Sequence, residues 1–375
     1  MIIGVLKEIK NNEYRVSAVP SSVSEMVNKG HKVYVEHDAG VGSGYSNEEY
    51  EEAGAEITDA DTIWKKSEMI YKVKEILPQE YNYLREGLIV YTYLHSNAHL
   101  NMTQEMLRSK IIGIAYEDIT DKNGKYPLLS PMSELAGKGG FLAALHYGQS
   151  INGGKGILFN RVSGVEVPVV TILGGCGNSG IGAAEIAASL GNKVIILDVS
   201  KEAMDEVKTK LPSNVEFLYS NRDNLLKCLK ETDVLMNCIL WNKTRRDHLV
   251  YKEDLKLMKK GSMIIDVACD DNGAIETCRS TTHDDPIYFE EGIMHYCVDN
   301  IPSAFARTAS IGLANATLPF ALQIANEGCE KALKENKHLL NGLTCYKGKL
   351  TIEETAVKHN LVLVPQEKVV EEFKL

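Results

Sequence analysis

The feature that most constrains this chain is a glycine-rich stretch, LGGCGNSGIG, at residues 173–182. It directly follows the apolar run VPVVTI and opens IGAAEIAASLG, an alanine-rich stretch typical of a helix. Within it, a G-x-G-x-x-G spacing is formed by Gly175, Gly177 and Gly180. A strand, a glycine turn and a helix in this order predict a βαβ unit of a parallel sheet.

The spacing also predicts a dinucleotide site. Gly175 permits the tight turn, Gly177 lets a pyrophosphate approach the backbone, and Gly180 allows the helix to pack closely on the strand. The next strand, KVIILD, ends in Asp198, which can accept hydrogen bonds from both ribose hydroxyls and would repel a 2′-phosphate. We therefore expect NAD rather than NADP, although Lys201 lies close enough to weaken that preference. The alternative is a tight turn that binds no ligand.

Composition and net charge exclude several classes of function. The chain has 375 residues, of which 44% are hydrophobic and 25% charged, values typical of a soluble globular protein with two domains. A net charge of −10 without basic runs argues against a nucleic-acid partner or an anionic membrane. No signal peptide or membrane-length apolar run is apparent, and the eight cysteines form no CxxC pair. We expect a cytoplasmic protein.

Two series of alternating strands and helices follow each other along the chain. The first covers residues 1–120, and the second runs from 167 to about 300. The segment PQEYNYLREG is predicted as one of the helices of the first series, and the tail beyond 303 is predicted to be helical, without strands of its own. The pattern indicates an α/β protein with two Rossmann-like, doubly wound parallel-sheet domains and a cleft between them.

Cationic and imidazole side chains follow the strands of the first series. Arg15 follows the first strand, Lys74 closes MIYKVK, and His95 ends GLIVYTYL. Ligands bind at the carboxyl ends of the strands of such sheets, so these residues suit a small carboxylate substrate. Arg15 could bind the carboxylate through two parallel hydrogen bonds, and Lys74 could add a second positive charge. A solvated lysine is the commoner state at a strand end.

For three further polar residues, His99, Asp270 and Asn300, the sequence allows both a functional and a purely structural role. His95 and His99 have the i, i+4 spacing of a metal-ligating pair, but HSNAH lacks a nearby third ligand, and we expect no metal. Asp270 and Asn300 end strands of the second series, where either residue could also be a solvated turn residue.

A resemblance to the alanine dehydrogenase family spans nearly the whole chain. That family is related to the first subunit of proton-pumping nicotinamide transhydrogenase. The matching stretches are IIGVLKEIKNNEYRV, KVKE, YTYLH, IAYED, YPLLSPMSELAGK, the glycine motif with Asp198, LYSN, IIDVACD, IETCRSTTH, HYCVDNIP and ANATLPFALQIANEG.

The resemblance implies roles for individual residues. It makes Arg15 and Lys74 the substrate-binding cations, His95 and Asp270 the catalytic pair, and Asn300 a substrate contact on the nicotinamide side. It implies NAD contacts, besides the three motif glycines and Asp198, at Ser133, Asn178, Ser179, Ser220, Ile239, Leu240, Val267, Arg279, Val298 and Ile301.

The family's architecture and reaction are implied in the same way. Residues 1–129 with 306–375 would form a discontinuous substrate domain around an inserted NAD-binding domain, 130–305, in a homohexamer. L-Alanine, NAD and water would give pyruvate, ammonium and NADH reversibly, by hydride transfer from the α-carbon and attack of water on the iminium.

Several positions depart from the family pattern, among them the segments LWNKTRRD at 240–247 and NIPSA at 300–304. An N-x-P-S segment also occurs in N5-(carboxyethyl)ornithine synthase, so an opine-type synthase, which joins pyruvate to an amino acid by reduction, is one alternative. A transhydrogenase subunit is disfavoured because no membrane segment follows. A non-catalytic NAD-binding regulator is disfavoured because Arg15, Lys74, His95 and Asp270 are all present.

Overall fold

The computed structural model describes residues 1–242, 245–269 and 272–373. The predicted catalytic residue Asp270 lies outside the described residues. The chain divides into two compact units, Met1–Met132 with Ala306–Leu375, and Ser133–Phe305. Each unit is built of helices on a mostly parallel sheet, so the predicted α/β class with two Rossmann-like sheets is confirmed.

The strands and helices alternate along most of the chain. The strands are β1 (Ile2–Val5), β2 (Lys32–Glu36), β3 (Glu56–Thr58), β4 (Met69–Tyr71), β5 (Ile89–Thr92), β6 (Ile112–Ala115), β7 (Val169–Leu173), β8 (Lys193–Asp198), β9 (Val215–Tyr219), β10 (Val234–Asn237), β11 (Met263–Asp266), β12 (Ile287–Glu290), β13 (Ile293–Tyr296), β14 (Leu343–Tyr346) and β15 (Lys349–Leu350). The helices are α1 (Pro20–Asn28), α2 (Asn47–Glu52), α3 (Ala60–Lys66), α4 (Leu100–Arg108), α5 (Ser130–Tyr147), α6 (Asn178–Ser189), α7 (Lys201–Lys208), α8 (Arg222–Glu231), α9 (Ala306–Glu327), α10 (Cys329–Glu335), α11 (Lys337–Asn341), α12 (Glu353–His359) and α13 (Gln366–Val370).

The sheet of the first unit has the strand order β15-β14-β6-β5-β4-β1-β2-β3. From β1 the chain continues to β2 and β3 on one side, and then returns to β4 on the other side of β1. This reversal is a topological switch point, where parallel sheets bind ligands beyond the carboxyl ends of the strands. The strands β4, β5 and β6 are buried along their whole length, which explains their continuous apolar sequences.

The sheet of the second unit has the order β12-β13-β11-β10-β7-β8-β9, and its pairs are parallel except β12 with β13. Here β7 pairs with β8 on one side and with β10 on the other. The switch point therefore lies at the carboxyl end of β7, directly before the glycine-rich turn. Helix α6 then packs on β7 and β8 through small residues, among them Ala183, Ala184 and Ala187, which are fully buried.

Two expectations for the first unit were wrong. The tail contains strands, because β14 pairs antiparallel with β6 and turns back into β15 through Lys347 and Gly348, both at positive φ. These strands have four and two residues, too few for a periodic pattern to be visible in the sequence. The segment predicted as a helix from PQEYNYLREG is a 3₁₀ helix at Pro78–Tyr83. In the second unit, the antiparallel β12 was not predicted.

None of the helices within the described ranges combines the length and the apolar content that crossing a bilayer requires.

Candidate active site

The glycine-rich turn needs two of its glycines for packing. A Cβ on Gly175 would lie 2.5 Å from Cγ2 of Ile196 on β8, and a Cβ on Gly180 would overlap the Cα of Gly175. Both glycines are buried. Side chains at these positions would therefore separate α6 from the strands on which it packs.

The middle glycine has a different environment. Gly177 precedes α6 as its N-cap, is exposed, and has φ −81°, which any residue can adopt. A Cβ here would meet only the Gly174 carbonyl oxygen, at 3.7 Å, among the described atoms. Among the residues that the structure describes, no side chain caps the helix at this end. The first turn of a 12-residue helix thus presents its backbone N–H groups beside open space, an arrangement that fits the pyrophosphate of a dinucleotide.

Asp198 is held at the end of β8 by backbone donors. Its Oδ2 accepts from the Cys176 N–H at 3.1 Å, and its Oδ1 accepts from the N–H groups of Val199 and Ser200 at 2.8 and 3.1 Å. The backbone carbonyl of Asp198 accepts a hydrogen bond from the N–H of Ser220. Ser220, a predicted NAD contact, directly follows β9, so it lies next to Asp198 at the end of the neighbouring strand. The half-buried carboxylate is thereby fixed beside the glycine turn, as ribose recognition requires.

The other predicted cofactor residues have three kinds of environment. Ile239 and Val267 each donate their N–H to Asn237 at the end of β10, at 3.2 and 2.9 Å. Val298 and Ile301 are almost fully buried in the core of the second unit. Leu240 is 89% exposed, and the Arg279 guanidinium stacks on the Tyr288 ring at 4.0 Å. The remaining three positions are Ser133 in the first turn of α5, and Asn178 and Ser179 at the start of α6.

Asn300, predicted to contact substrate, is buried at the start of a short 3₁₀ helix. Its backbone carbonyl accepts hydrogen bonds from His283 Nε2 at 3.0 Å and from the Ser303 hydroxyl at 2.9 Å. These contacts anchor the N-I-P-S segment to the second unit by its backbone.

In the first unit, Arg15 forms a buried ion pair with Glu13. The guanidinium donates through Nε and Nη2 to the two carboxylate oxygens at 2.7 and 2.6 Å, and it is 3% exposed. Its Nη1 lies 3.3 Å from the Met132 thioether sulfur. The thioether is a weak hydrogen-bond acceptor.

Lys74 lies three residues beyond the end of β4 and is largely buried, with 11% of its side chain exposed. Burial lowers the pKa of its ammonium group, against the pull of Glu75, whose carboxylate is 3.7 Å away. The Glu8 carboxylate accepts from the backbone N–H groups of Val73 and Lys74 at 2.6 and 3.3 Å. The segment that carries Lys74 is therefore held by a buried acid.

His95 follows β5 and has a left-handed backbone, with φ +46°. Its N–H donates to Glu117 Oε1 at 2.5 Å, and its ring stacks on Tyr93 with a centroid separation of 5.8 Å. Burial, with the charge of Lys74 as the second cause, lowers the pKa of the imidazole. The ring is consequently neutral near pH 7, and it is a weaker base than a free imidazole.

These three predicted residues occupy one electrostatic neighbourhood. The charge of Lys74 acts on His95, and the charge of Arg15 acts on Lys74. Sequence reasoning did not single out the acids that hold them, Glu8, Glu13 and Glu117. The position of Glu117 directly after β6, in IAYED, was a usable signal, because it is at the carboxyl end of a strand next to β5.

A cavity of about 400 Å³ in the first unit reaches the ion pair. Its lining includes Glu8, Glu13, Tyr14, Arg15 and Asp38. Lys74 and His95 are not among the described residues that line it, so we do not assign it as the substrate site.

Comparison with known proteins places this arrangement in a family. Residues 4–136 match the family described as alanine dehydrogenase/PNT, N-terminal domain, and residues 141–353 match its C-terminal domain. A protein of Methanococcus maripaludis named alanine dehydrogenase is 46% identical over 99% of this chain and 100% of its own length. An alanine dehydrogenase of Bacillus subtilis is 43% identical over 99% of this chain and 98% of its own.

Solved structures agree with the sequence relatives. An L-alanine dehydrogenase structure superposes with a TM-score of 0.92 at 38% identity, over 96% of this chain and 99% of that one. A transhydrogenase from Sinorhizobium meliloti, at 22% identity and a TM-score of 0.80 over 94% of this chain and 99% of that one, shares the fold. By the extent and identity of these matches, the chain belongs to the alanine dehydrogenase/PNT family.

Proposed function

We propose that this chain catalyses the reversible NAD-dependent oxidative deamination of L-alanine, in which alanine, NAD⁺ and water give pyruvate, ammonium, NADH and a proton. The observation that carries the proposal is the match, over nearly the full length of both chains, to relatives named alanine dehydrogenase at 46% and 43% identity. NAD, when bound, supplies the two-electron oxidation of the substrate's Cα–N bond.

We assign cofactor binding to residues 130–305 and substrate binding to residues 1–129 with 306–375. In the first of these, the backbone at Gly177 and the start of α6 would hold the pyrophosphate, and Asp198 would bind the adenosine ribose. The open space at Gly177 and the fixed carboxylate of Asp198 support this assignment. The further NAD contacts that we propose are Ser133, Asn178, Ser179, Ser220, Ile239, Leu240, Val267, Arg279, Val298 and Ile301.

Arg15 and Lys74 would bind the substrate carboxylate. Glu13 accepts hydrogen bonds from Nε and Nη2 of Arg15, so the guanidinium is oriented before substrate arrives. Lys74 would add a second positive charge, which its partial burial makes stronger than it would be in water.

His95 would move the proton. Its imidazole is neutral near pH 7, since burial lowers its pKa, and a neutral ring can take the proton that the attacking water loses at the iminium carbon. In the reverse direction it would return that proton to the hydroxyl group that leaves the carbinolamine as water when the iminium forms. We propose Asp270 as the second catalytic residue and Asn300 as a substrate contact, on the family resemblance alone. The same resemblance underlies a homohexamer, which sedimentation velocity would test.

The test follows NADH absorbance with a panel of amino acids, and then with pyruvate plus either ammonium or a free amino acid. We expect turnover with alanine and with pyruvate plus ammonium. NADH consumption that requires an amino acid instead of ammonium would make the chain an opine-type synthase. Such a result would overturn the proposal.

A variant separates an enzyme from an NAD-binding regulator. In His95→Ala we expect turnover to fall by about 10²–10⁴-fold while NADH fluorescence titrations remain unchanged. Near-normal turnover in this variant would contradict the assigned role of His95. Absence of any turnover in the unaltered protein, with intact NADH binding, would favour the regulator.

A further inference from the structure

A cluster of three potential metal ligands, none of them assigned a role above, lies inside the second unit. Asp266 ends β11, Cys278 lies in the connection to β12, and Cys297 directly follows β13. One carboxylate oxygen and the two sulfur atoms all lie within 4.8 Å of one another. Asp266 and Cys297 are fully buried, and Cys278 is 8% exposed.

The Asp266 carboxyl group is satisfied on one side only. Its Oδ1 accepts from the Asn237 side-chain amide at 2.9 Å and from the N–H groups of Ala268 and Cys269 at 3.2 and 3.1 Å. Its Oδ2 is buried and has no partner with hydrogen-bond geometry among the described residues. Because an unpaired buried carboxyl oxygen is costly, this atom is the kind of group that a bound cation would satisfy.

The groups acting on Asp266 are electrically neutral. Besides burial, the largest effects come from the hydrogen-bond donors of Asn237, Ala268 and Cys269 and from the neighbouring Cys278 thiol, which does not reach hydrogen-bond geometry with Oδ2. None of these is a lysine or an arginine, so the groups that act most strongly on Asp266 supply no positive charge to compensate an ionised carboxylate. A divalent cation would supply that charge in the space between the carboxylate and the two thiols.

We propose that Asp266, Cys278 and Cys297 form a binding site for a thiophilic divalent cation of the zinc class. Two sulfur ligands and one carboxylate match the donor preference of such ions. A tetrahedral ion with Zn–S bonds of about 2.3 Å holds its sulfurs about 3.8 Å apart, so shifts of about 1 Å complete the site. On binding, each thiol releases one proton and ligates as a thiolate. The Tyr288 hydroxyl, 3.5 Å from the Cys297 sulfur, is a further oxygen donor at the edge of the cluster.

The experiment uses the full-length protein, reduced and stripped with a chelator, and titrates it with cobalt(II). We expect one equivalent per chain to produce thiolate-to-cobalt charge-transfer absorption, which zinc then abolishes by displacing cobalt. Native mass spectrometry should show one zinc per chain after equimolar addition. A reduced wild-type protein that shows neither signal overturns the proposal without any variant.

Variants locate the ion. Cys278→Ser and Cys297→Ser should each lose the charge-transfer absorption, and Asp266→Asn should weaken binding while its amide oxygen can still accept the Oδ1 contacts. The matched control is Cys228→Ser, which removes another buried thiol, on α8, and should bind cobalt like the wild type. Unchanged binding in both Cys278→Ser and Cys297→Ser places the ion elsewhere and overturns the site.

Discussion

Glu117 holds His95 by its backbone, since Glu117 Oε1 accepts the His95 N–H at 2.5 Å and lies 3.8 Å from the ring Nδ1. The same carboxyl group accepts the N–H of Leu94 at 3.1 Å. His95 is a non-glycine residue at φ +46°, a conformation that persists only where surrounding contacts stabilise it. Glu117 is therefore a positioning residue for the proposed proton-transfer group.

The first prediction concerns this positioning. Glu117→Ala leaves two partly buried N–H groups without their acceptor and loosens the backbone at His95, so we expect kcat to fall by about 10²-fold. Glu117→Gln retains an amide oxygen as acceptor and should recover most of the activity. Steady-state kinetics with NADH titrations in parallel provide the measurement. Equal losses in both variants would contradict a role through hydrogen-bond acceptance.

Stability should depend on pH through the same residue. Burial, with Asp118 as the second cause, raises the pKa of Glu117 to about 8 from an ordinary value of 4.5. The folded protein thus keeps a proton that the unfolded chain releases, so this contribution to stability is complete below pH 4.5 and is lost as pH rises through about 8. Urea denaturation across that range should show a shallower decline in Glu117→Gln than in the wild type. A steeper decline would refute the assignment.

Substitutions at two glycines of the turn should distinguish an effect on helix packing from an effect on cofactor binding. In Gly180→Ala the new Cβ meets the Gly175 backbone, so we expect a loss of stability of about 1–3 kcal/mol together with weaker NADH binding. In Gly177→Ala the φ of −81° is permitted and the Cβ has room, so stability should stay close to that of the wild type. Fluorescence titration should nevertheless show weaker NADH binding. Unaltered NADH affinity in Gly177→Ala would argue against a pyrophosphate at this turn.

Cofactor selectivity should depend on Asp198. Its carboxylate is fixed by three backbone N–H groups, so a 2′-phosphate brought to the same place meets a negative charge that cannot move away. We expect kcat/KM for NAD to exceed that for NADP, and Asp198→Ala to narrow the ratio. Asp205→Ala removes an exposed acid on α7 and serves as the matched control. Equal efficiency with both cofactors in the unaltered protein would refute the assignment.

The two substrate cations should differ in their effect on stability. Arg15→Met leaves the buried Glu13 carboxylate without the guanidinium, which costs about 3–5 kcal/mol of unfolding free energy. Lys74→Met removes a buried ammonium whose partner, Glu75, keeps its 2.8 Å ion pair with Lys10, so little stability should be lost. Both variants should raise the KM for alanine. Denaturation curves that show equal losses for the two would contradict this account.

Local patterns in the sequence were sufficient for the parallel sheets and the family. The apolar runs that became β4 to β8 are buried along most of their length, and such strands leave continuous apolar sequences. The glycine spacing is equally local, because one turn determines which side chains the backbone tolerates. The assigned roles of Arg15, Lys74 and His95 remain predictions.

The sequence by itself determined the two βα series, the glycine turn with Asp198, and the family. Only the tertiary structure decided how β14 extends the first sheet, which acids hold Arg15, Lys74 and His95, and that Asp266, Cys278 and Cys297 meet. The pairing of β14 with β6 joins residues more than two hundred positions apart. Such contacts depend on strand order and on the burial of charged groups, and neither leaves a periodic signal in the residues involved.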